Sequence, residues 1–231
     1  MESLREKRGR WMSLETEILE ITLRSLFVSS LAAFLAAGIG IPMGVLIGLK
    51  RFRGRSHLKG VVNALMALPT VALGLLLYLL FSNAGPLGFL NVLYSPFAII
   101  IGQAILILPI IVSISTETVE SVDPSIRELA MTLGADERGA FASVLRESVG
   151  GILLAVSAAF SRAISELGVA LMLGGNIQGL TRVLTTSIAL ETTRGEIALG
   201  LGLTAVLLSL MLTFNILLRM AEKRVRWWLW E

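Results

Sequence analysis

Two charges stand in a stretch that is otherwise soluble in lipid. Residues 149–175 read VGGILLAVSAAFSRAISELGVALMLGG, and without Arg162 and Glu166 the segment carries no charge at all. Ionisable groups at membrane depth are costly and face a bundle interior or a water-filled path. At a spacing of four, the two share one face of a continuous helix. Measured from Val149, Arg162 falls ~20 Å along such a helix, well inside a hydrocarbon core of ~30 Å. Two chemistries suit the pair. It can neutralise itself and brace the bundle. Alternatively, Arg162 lines the path of a divalent oxyanion, with Glu166 weakening the hold so that the ion is released.

A second polar group follows. Gly174-Gly175-Asn176 closes the apolar run, and Thr181, Arg182, Thr185, Thr186 and Ser187 come next. Hydroxyl and amide donors hydrogen-bond a tetrahedral oxyanion, and the guanidinium of Arg182 adds charge to that bonding. An ordinary polar loop has the same composition, so both readings stand.

The elements that must position these groups follow from composition. Apolar residues make up 55% of the 231 and charged residues 16%, against roughly a quarter charged in soluble domains. Residues 25–49, 61–116 and 197–218 carry no charge, and a spanning helix needs ~20 apolar residues. The middle run is too long for one span and contains Ser82-Asn83-Ala84-Gly85-Pro86 and Tyr94-Ser95-Pro96, both turn signals. Five spans result, near 25–49, 61–81, 97–116, 149–175 and 197–218. The unbroken apolar runs exclude the alternation of barrel strands, so the fold class is all-α: a polytopic membrane helix bundle. Residues 1–24 read as an N-terminal tail with an amphipathic segment (Leu14, Ile18, Ile21, Leu26), 25–218 as a single transmembrane domain, and 219–231 as a basic tail.

The chain has no cysteine, hence no disulfide or thiolate chemistry. A single histidine, His57, in a basic loop makes no metal site. Lys50, Arg51, Arg53, Arg55 and Lys59 follow the first span, and Arg219, Lys223, Arg224 and Arg226 follow the last. The positive-inside rule places both segments in the cytoplasm. Trp227, Trp228 and Trp230 suit a headgroup-level anchor. An odd number of spans puts the N-terminus outside, although Arg5, Lys7, Arg8 and Arg10 make that tail basic. Within the first span Gly40, Gly44 and Gly48 recur every four residues, a small-residue stripe for close helix contact, either internal or at a dimer seam. Pro42, Pro69 and Pro109 fall inside spans and can kink them.

Residues 117–148 form the longest hydrophilic stretch within the membrane region. Asp123-Pro124 is a helix start, and Ile126, Leu129, Ala130 and Leu133 mark one face. Gly134 is a stop, and Asp136 can cap a second helix running toward Glu147. Two short helices meeting at a glycine turn either dock into a groove on a soluble partner or lie flat on the membrane.

Glu128-Leu129-Ala130, then three residues, Gly134, then nine residues and Val144, resembles the cytoplasmic motif of ABC importer permeases, Glu-Ala-Ala, three residues, Gly, nine residues, Ile-x-Leu-Pro. Leu129 replaces the first Ala, and Arg146-Glu147 replaces Leu-Pro. Residues 160–203, 66–80 and 82–88 resemble the molybdate/tungstate branch of that family, most closely its tungstate type. The resemblance implies the type I importer permease fold, with coupling helices near 124–147. Two permease copies would form the translocation path, and an extracytoplasmic binding protein would deliver the oxyanion. A separate subunit, which binds the ATP and Mg²⁺, would receive Glu128, Leu129, Ala130, Gly134, Ala135 and Asp136. Of this chain itself it implies a non-catalytic, cofactor-free subunit of the cell membrane, with no nucleic-acid partner. Indeed no Gly-x-x-x-x-Gly-Lys-Ser/Thr phosphate loop occurs in the sequence. The same machine carrying molybdate or sulfate is the near alternative. A self-contained channel or secondary transporter is the distant one; it would need no docking helices and would often show inverted repeats. A membrane enzyme would need a catalytic constellation that the spans lack.

Overall fold

The chain folds, in a computed structural model that describes residues 2–230 and the side chains of 15–224, as a succession of helices. They are α1 (Glu2–Leu49), α2 (Arg55–Met66), α3 (Thr70–Phe81), α4 (Pro96–Glu120), α5 (Pro124–Thr132), α6 (Glu137–Ile164), α7 (Gly168–Gly174), α8 (Leu184–Thr193) and α9 (Ile197–Trp230), with one 3₁₀ turn at Gly88–Leu90. Among the described residues, α1, α4, α6 and α9 are long and apolar enough to cross a membrane, and α2 with α3, as one bent pair, would make a fifth crossing.

Several expected boundaries move, each for a local reason. The single helix expected over 61–81 is broken, because Leu68 precedes Pro69 and a residue before proline leaves the helical region; Pro69 then stands in extended geometry as the N-cap of α3. Pro42 and Pro109 stay inside α1 and α4. His57 lies exposed on α2, not in a loop. The second cytoplasmic helix does not stop near Glu147 but runs on as α6. The helix through 149–175 ends at Ile164 and restarts at Gly168. The amphipathic segment expected within 1–24 leads into the first span as one continuous helix from Glu2, with Ile21 buried in the protein and not on a surface. The helix α9 likewise continues through the expected C-terminal tail. The anchoring role of Trp227, Trp228 and Trp230, the side chain of Leu14 and the four basic N-terminal side chains lie outside the described residues.

The residues group into two compact units. The first takes the chain up to Leu31, Pro69–Gln103 and Ile164–Met211. Here α3 packs against α7, Tyr78 meets Tyr94 edge-on at 6.3 Å, and the Tyr94 N–H donates to the Leu173 carbonyl at 2.8 Å. Buried Ser29 on α1 donates to Gln103 on α4, a polar tie of the kind that joins helices in lipid.

The second unit takes Ala32–Leu68, Ala104–Ala163 and the chain from Leu212 on. The glycine stripe of α1 faces α4: a Cβ on Gly44 would lie 2.7 Å from the Ser115 Cβ and 2.8 Å from the Val112 carbonyl oxygen. The stripe is therefore an internal seam. Thr116 closes it with its single hydroxyl hydrogen shared between the carbonyls of Val112 at 2.7 Å and Gly44 at 3.1 Å. Phe160 of α6 stacks on Phe214 of α9. Beside them Ser157 donates to the Asn215 side-chain oxygen, and the Asn215 amide donates to Ser161 at 3.0 Å.

Arg55 finishes α1. Its guanidinium donates to the Ile47 and Gly48 carbonyls at 2.7 and 2.8 Å and pairs with Glu120 at 2.6 Å, while Lys59 meets the other Glu120 oxygen at 2.7 Å. Cations at a helix C-terminus complement its dipole. Replacing Arg55 by Ala is expected to cost ~1–3 kcal/mol, since it leaves the Ile47 and Gly48 carbonyls without their donor and Glu120 with Lys59 alone. Arg55→Lys should recover only part, because an ammonium cannot fork as a guanidinium does. Thermal denaturation in detergent, followed by tryptophan fluorescence, reads both.

Candidate functional site

The break in the fourth long helix changes what Arg162 and Glu166 are. Arg162 sits in the last turn of α6, half-buried, where the helix dipole favours a cation. Glu166 lies in the three-residue break and is 2% exposed. Its carboxylate accepts the Val169 N–H at 3.2 Å, and its own carbonyl accepts the Thr185 hydroxyl at 2.9 Å. A carboxylate that captures a backbone N–H competes with helix continuation, which explains why the chain does not run through. The two residues do not share a face of one helix. Each charge stands at the end of a different helix, with the polarity that end favours.

The polar segment 176–187 is a turn-rich connection over 176–183, exposed at 177–180, that leads into α8 at Leu184. Most of its hydroxyls sit on or beside the first turn of α8, where Thr185, Thr186 and Ser187 are buried. Thr181, fully buried, donates to the Gly174 carbonyl and accepts the Ile177 N–H. Thr186 accepts the Val183 N–H and donates to the Val183 carbonyl, each at 3.0 Å. A hydroxyl has one hydrogen to give, and in Thr181, Thr185 and Thr186 it goes to the protein's own backbone. Asn176 stands at φ 53° next to Gly175 at φ 68°, with its side-chain oxygen buried and without a hydrogen-bond partner among the described residues.

What sequence reading missed is the part of α1 that grips this segment. The Glu17 Oε1 accepts from Gln178 Nε2 at 2.9 Å and from Arg182 Nη1 at 3.2 Å. Arg24 donates to the carbonyls of Gly179 and Arg182 at 2.9 and 3.0 Å. The Ser25 hydroxyl accepts the Leu184 N–H at 2.8 Å, capping α8. Glu17, Ile21, Arg24 and Ser25 recur at helical spacing, a signal present in the sequence but hidden by the charges around it.

The cytoplasmic motif takes definite shape. Asp123 caps α5 by accepting the Ser125 N–H at 2.9 Å, and hydrogen bonds from the Ser125 backbone and side chain hold its carboxyl below the usual carboxylate range. At the other end Gly134 adopts φ 91°. Its N–H donates to the Met131 carbonyl and the Ala135 N–H to the Ala130 carbonyl, both at 3.0 Å, the paired bonds of a Schellman stop. Asp136 then caps α6 through the Gly139 N–H at 2.8 Å. Arg127 locks the turn, pairing with Glu137 at 3.1 Å and lying over the Phe141 ring. The result is a braced tip on which Leu129 and Leu133 are 61% and 79% exposed, with Glu128 also exposed and Ala135 partly covered.

Comparison with known proteins agrees with this architecture. Residues 40–227 match the family model described as binding-protein-dependent transport system inner membrane component. A protein of Haloferax volcanii named as a probable anion ABC transporter permease is 40% identical over 87% of this chain and 89% of its own. The tungstate uptake system permease of Peptoclostridium acidaminophilum is 36% identical over 88% of this chain and 90% of its own. Among solved structures, an inward-facing MetNI methionine ABC transporter chain superposes with a TM-score of 0.68 over 94% of this chain and 98% of that one, at 16% identity. The shared fold is that of a type I importer permease.

Proposed function

The chain belongs to the family of binding-protein-dependent transport system inner membrane components, and on that premise we propose that it is the permease subunit of an ATP-driven importer of tungstate. Two copies form the path, an extracytoplasmic binding protein delivers the oxyanion, and a separate subunit binds ATP and Mg²⁺ and seats the α5 tip. The C-terminus is cytoplasmic and the N-terminus extracytoplasmic. The observation that carries the reading is that tip: a helix capped at both ends, braced by Arg127, and presenting Leu129 and Leu133 outward. A self-contained channel has no use for it. The tungstate-system relative supports the substrate, with molybdate or sulfate as the alternative cargo for the same machine.

The test is uptake into vesicles holding the permease and its ATPase subunit, with binding protein and tungstate outside and ATP inside. Tungsten accumulation should require ATP; accumulation with the purified chain alone and no ATP would favour a channel. Arg162 and Glu166 line the proposed path. Arg162→Ala should lower uptake about tenfold, the scale of one charged hydrogen bond, with normal assembly by size-exclusion chromatography. Unchanged uptake would confine Arg162 to finishing α6.

A further inference from the structure

Within the first unit a cleft of about 180 Å³ opens between α1 and the α8–α9 pair. Glu17, Gln178, Arg182, Ser187, Glu191 and Arg194 supply its polar lining, with four apolar side chains as the remaining wall. Two of its donors have no hydrogen-bond partner among the described residues: the Ser187 hydroxyl, on a residue 2% exposed, and the Arg182 Nε. Burying a donor without a partner is unfavourable, so two in one cleft point to an acceptor that belongs there.

The protein already shows what kind of acceptor fits. One oxygen of the Glu17 carboxylate takes hydrogen bonds from both Gln178 and Arg182. That carboxylate is an oxyanion in an oxyanion seat. The cleft's formal charges cancel, because Glu17 pairs with Arg182 and Glu191 with Arg194 at 3.1 Å. A dianion can therefore enter only by displacing a carboxylate. Glu17 is the one with room to leave: its side chain is 34% exposed, that of Glu191 12%.

We propose that this cleft is a transient binding site for a tetrahedral oxyanion, which displaces Glu17 from Arg182 and engages the unmet donors of Arg182 and Ser187. The proposal rests on the import reading and deepens it. A resident carboxylate that competes for the seat keeps the affinity low, which suits an ion that must pass on.

The test uses the full-length chain in complex with its ATPase subunit, in detergent, with tungstate binding measured by equilibrium dialysis and elemental analysis. Nitrate, a planar monoanion, serves as the control. Glu17→Gln keeps the hydrogen-bonding shape and removes the competing charge, so it should tighten tungstate binding about fivefold, the scale of one partly exposed ion pair, and leave nitrate unaffected. Adding Ser187→Ala should cancel that gain. Equal tungstate retention by wild type and Glu17→Gln, or a gain that survives Ser187→Ala, would overturn the site and leave a hydrated cleft only. Tungsten uptake keeps the two readings apart. ATP-driven uptake with no change in retention defeats the site and leaves the importer standing, whereas tightened retention in a complex that imports no oxyanion defeats the importer and leaves the site.

Discussion

Leu133→Asp is expected to abolish ATP-driven uptake while the permease stays folded. Leu133 is the most exposed large apolar residue described in the chain, 79% accessible at the end of α5. Its side chain supports nothing around it, so the substitution costs the isolated subunit only the unfavourable placement of an anion at a helix C-terminus, ~0.3–1 kcal/mol. Seated in a partner's groove, the same leucine contributes ~1.5–3 kcal/mol by burial, and an aspartate there would be a desolvated, unpaired charge. Together these should weaken association more than a hundredfold. Gly134→Pro attacks the same tip by another route. Proline holds φ near −65°, whereas Gly134 stands at φ 91° and donates to Met131, so the stop itself must rearrange. Affinity co-purification of the ATPase subunit, with uptake into vesicles, reads both variants. Normal co-purification and normal uptake by Leu133→Asp would remove the docking role from α5.

The parts of this fold legible in the sequence are those set by short-range rules. The uncharged runs announced the long helices, the Asp123-Pro124 pair the start of α5, and Gly134 its stop. The four-residue glycine spacing announced a close helix contact, though not its partner; only the position of Ser115 and Val112 opposite Gly44 makes it internal. What stayed hidden depends on competition between local and tertiary bonds. A run of apolar residues through 149–175 reads as one helix because nothing in it forbids helix. The break at 165–167 is written by the Glu166 carboxylate taking the Val169 N–H and by Thr185, far along the chain, holding the Glu166 carbonyl. In the same way, Thr181 and Thr186 look like available donors until their single hydrogens are followed to Gly174 and Val183. Arg182 was legible as a charge, but its partner Glu17 lies 165 residues away, in a segment whose charge density disguised a packed helix as a tail.

The broken helix also recasts the cost of intramembrane charge. Treated as an isolated pair at mid-depth, Arg162 and Glu166 would be an expense needing a functional reason. Standing instead near a helix C-terminus and a helix N-terminus, each has the sign that the helix dipole favours there, and Glu166 also takes the Val169 N–H. The break and Glu166 belong together: without its carboxylate the Val169 N–H must find another partner. A role on the ion's path adds to this structural one and does not compete with it.

Gly44→Leu should yield no folded protein. The Cβ alone would sit 2.7 Å from the Ser115 Cβ and 2.8 Å from the Val112 carbonyl oxygen, and neither is the movable end of a flexible side chain. Overpacking where side chains can yield costs ~1–3 kcal/mol; here backbone must yield, and the Thr116 hydroxyl bond to the Gly44 carbonyl goes with it. Gly44→Ala should already lower the melting temperature, and Ser115→Gly should restore part of it, because it removes one of the two contacts and leaves the carbonyl. Gly38 supplies the control on the same helix, since a Cβ added there would meet nothing within 4 Å and Gly38→Leu should express and melt like the parent. Yield after detergent extraction, monodispersity and melting temperature distinguish the outcomes. If Gly44→Leu gave a stable, monodisperse protein, α1 and α4 would not be joined along this seam, and the frame that positions the α4 end beside Arg55 and the α5 tip would have to be held some other way.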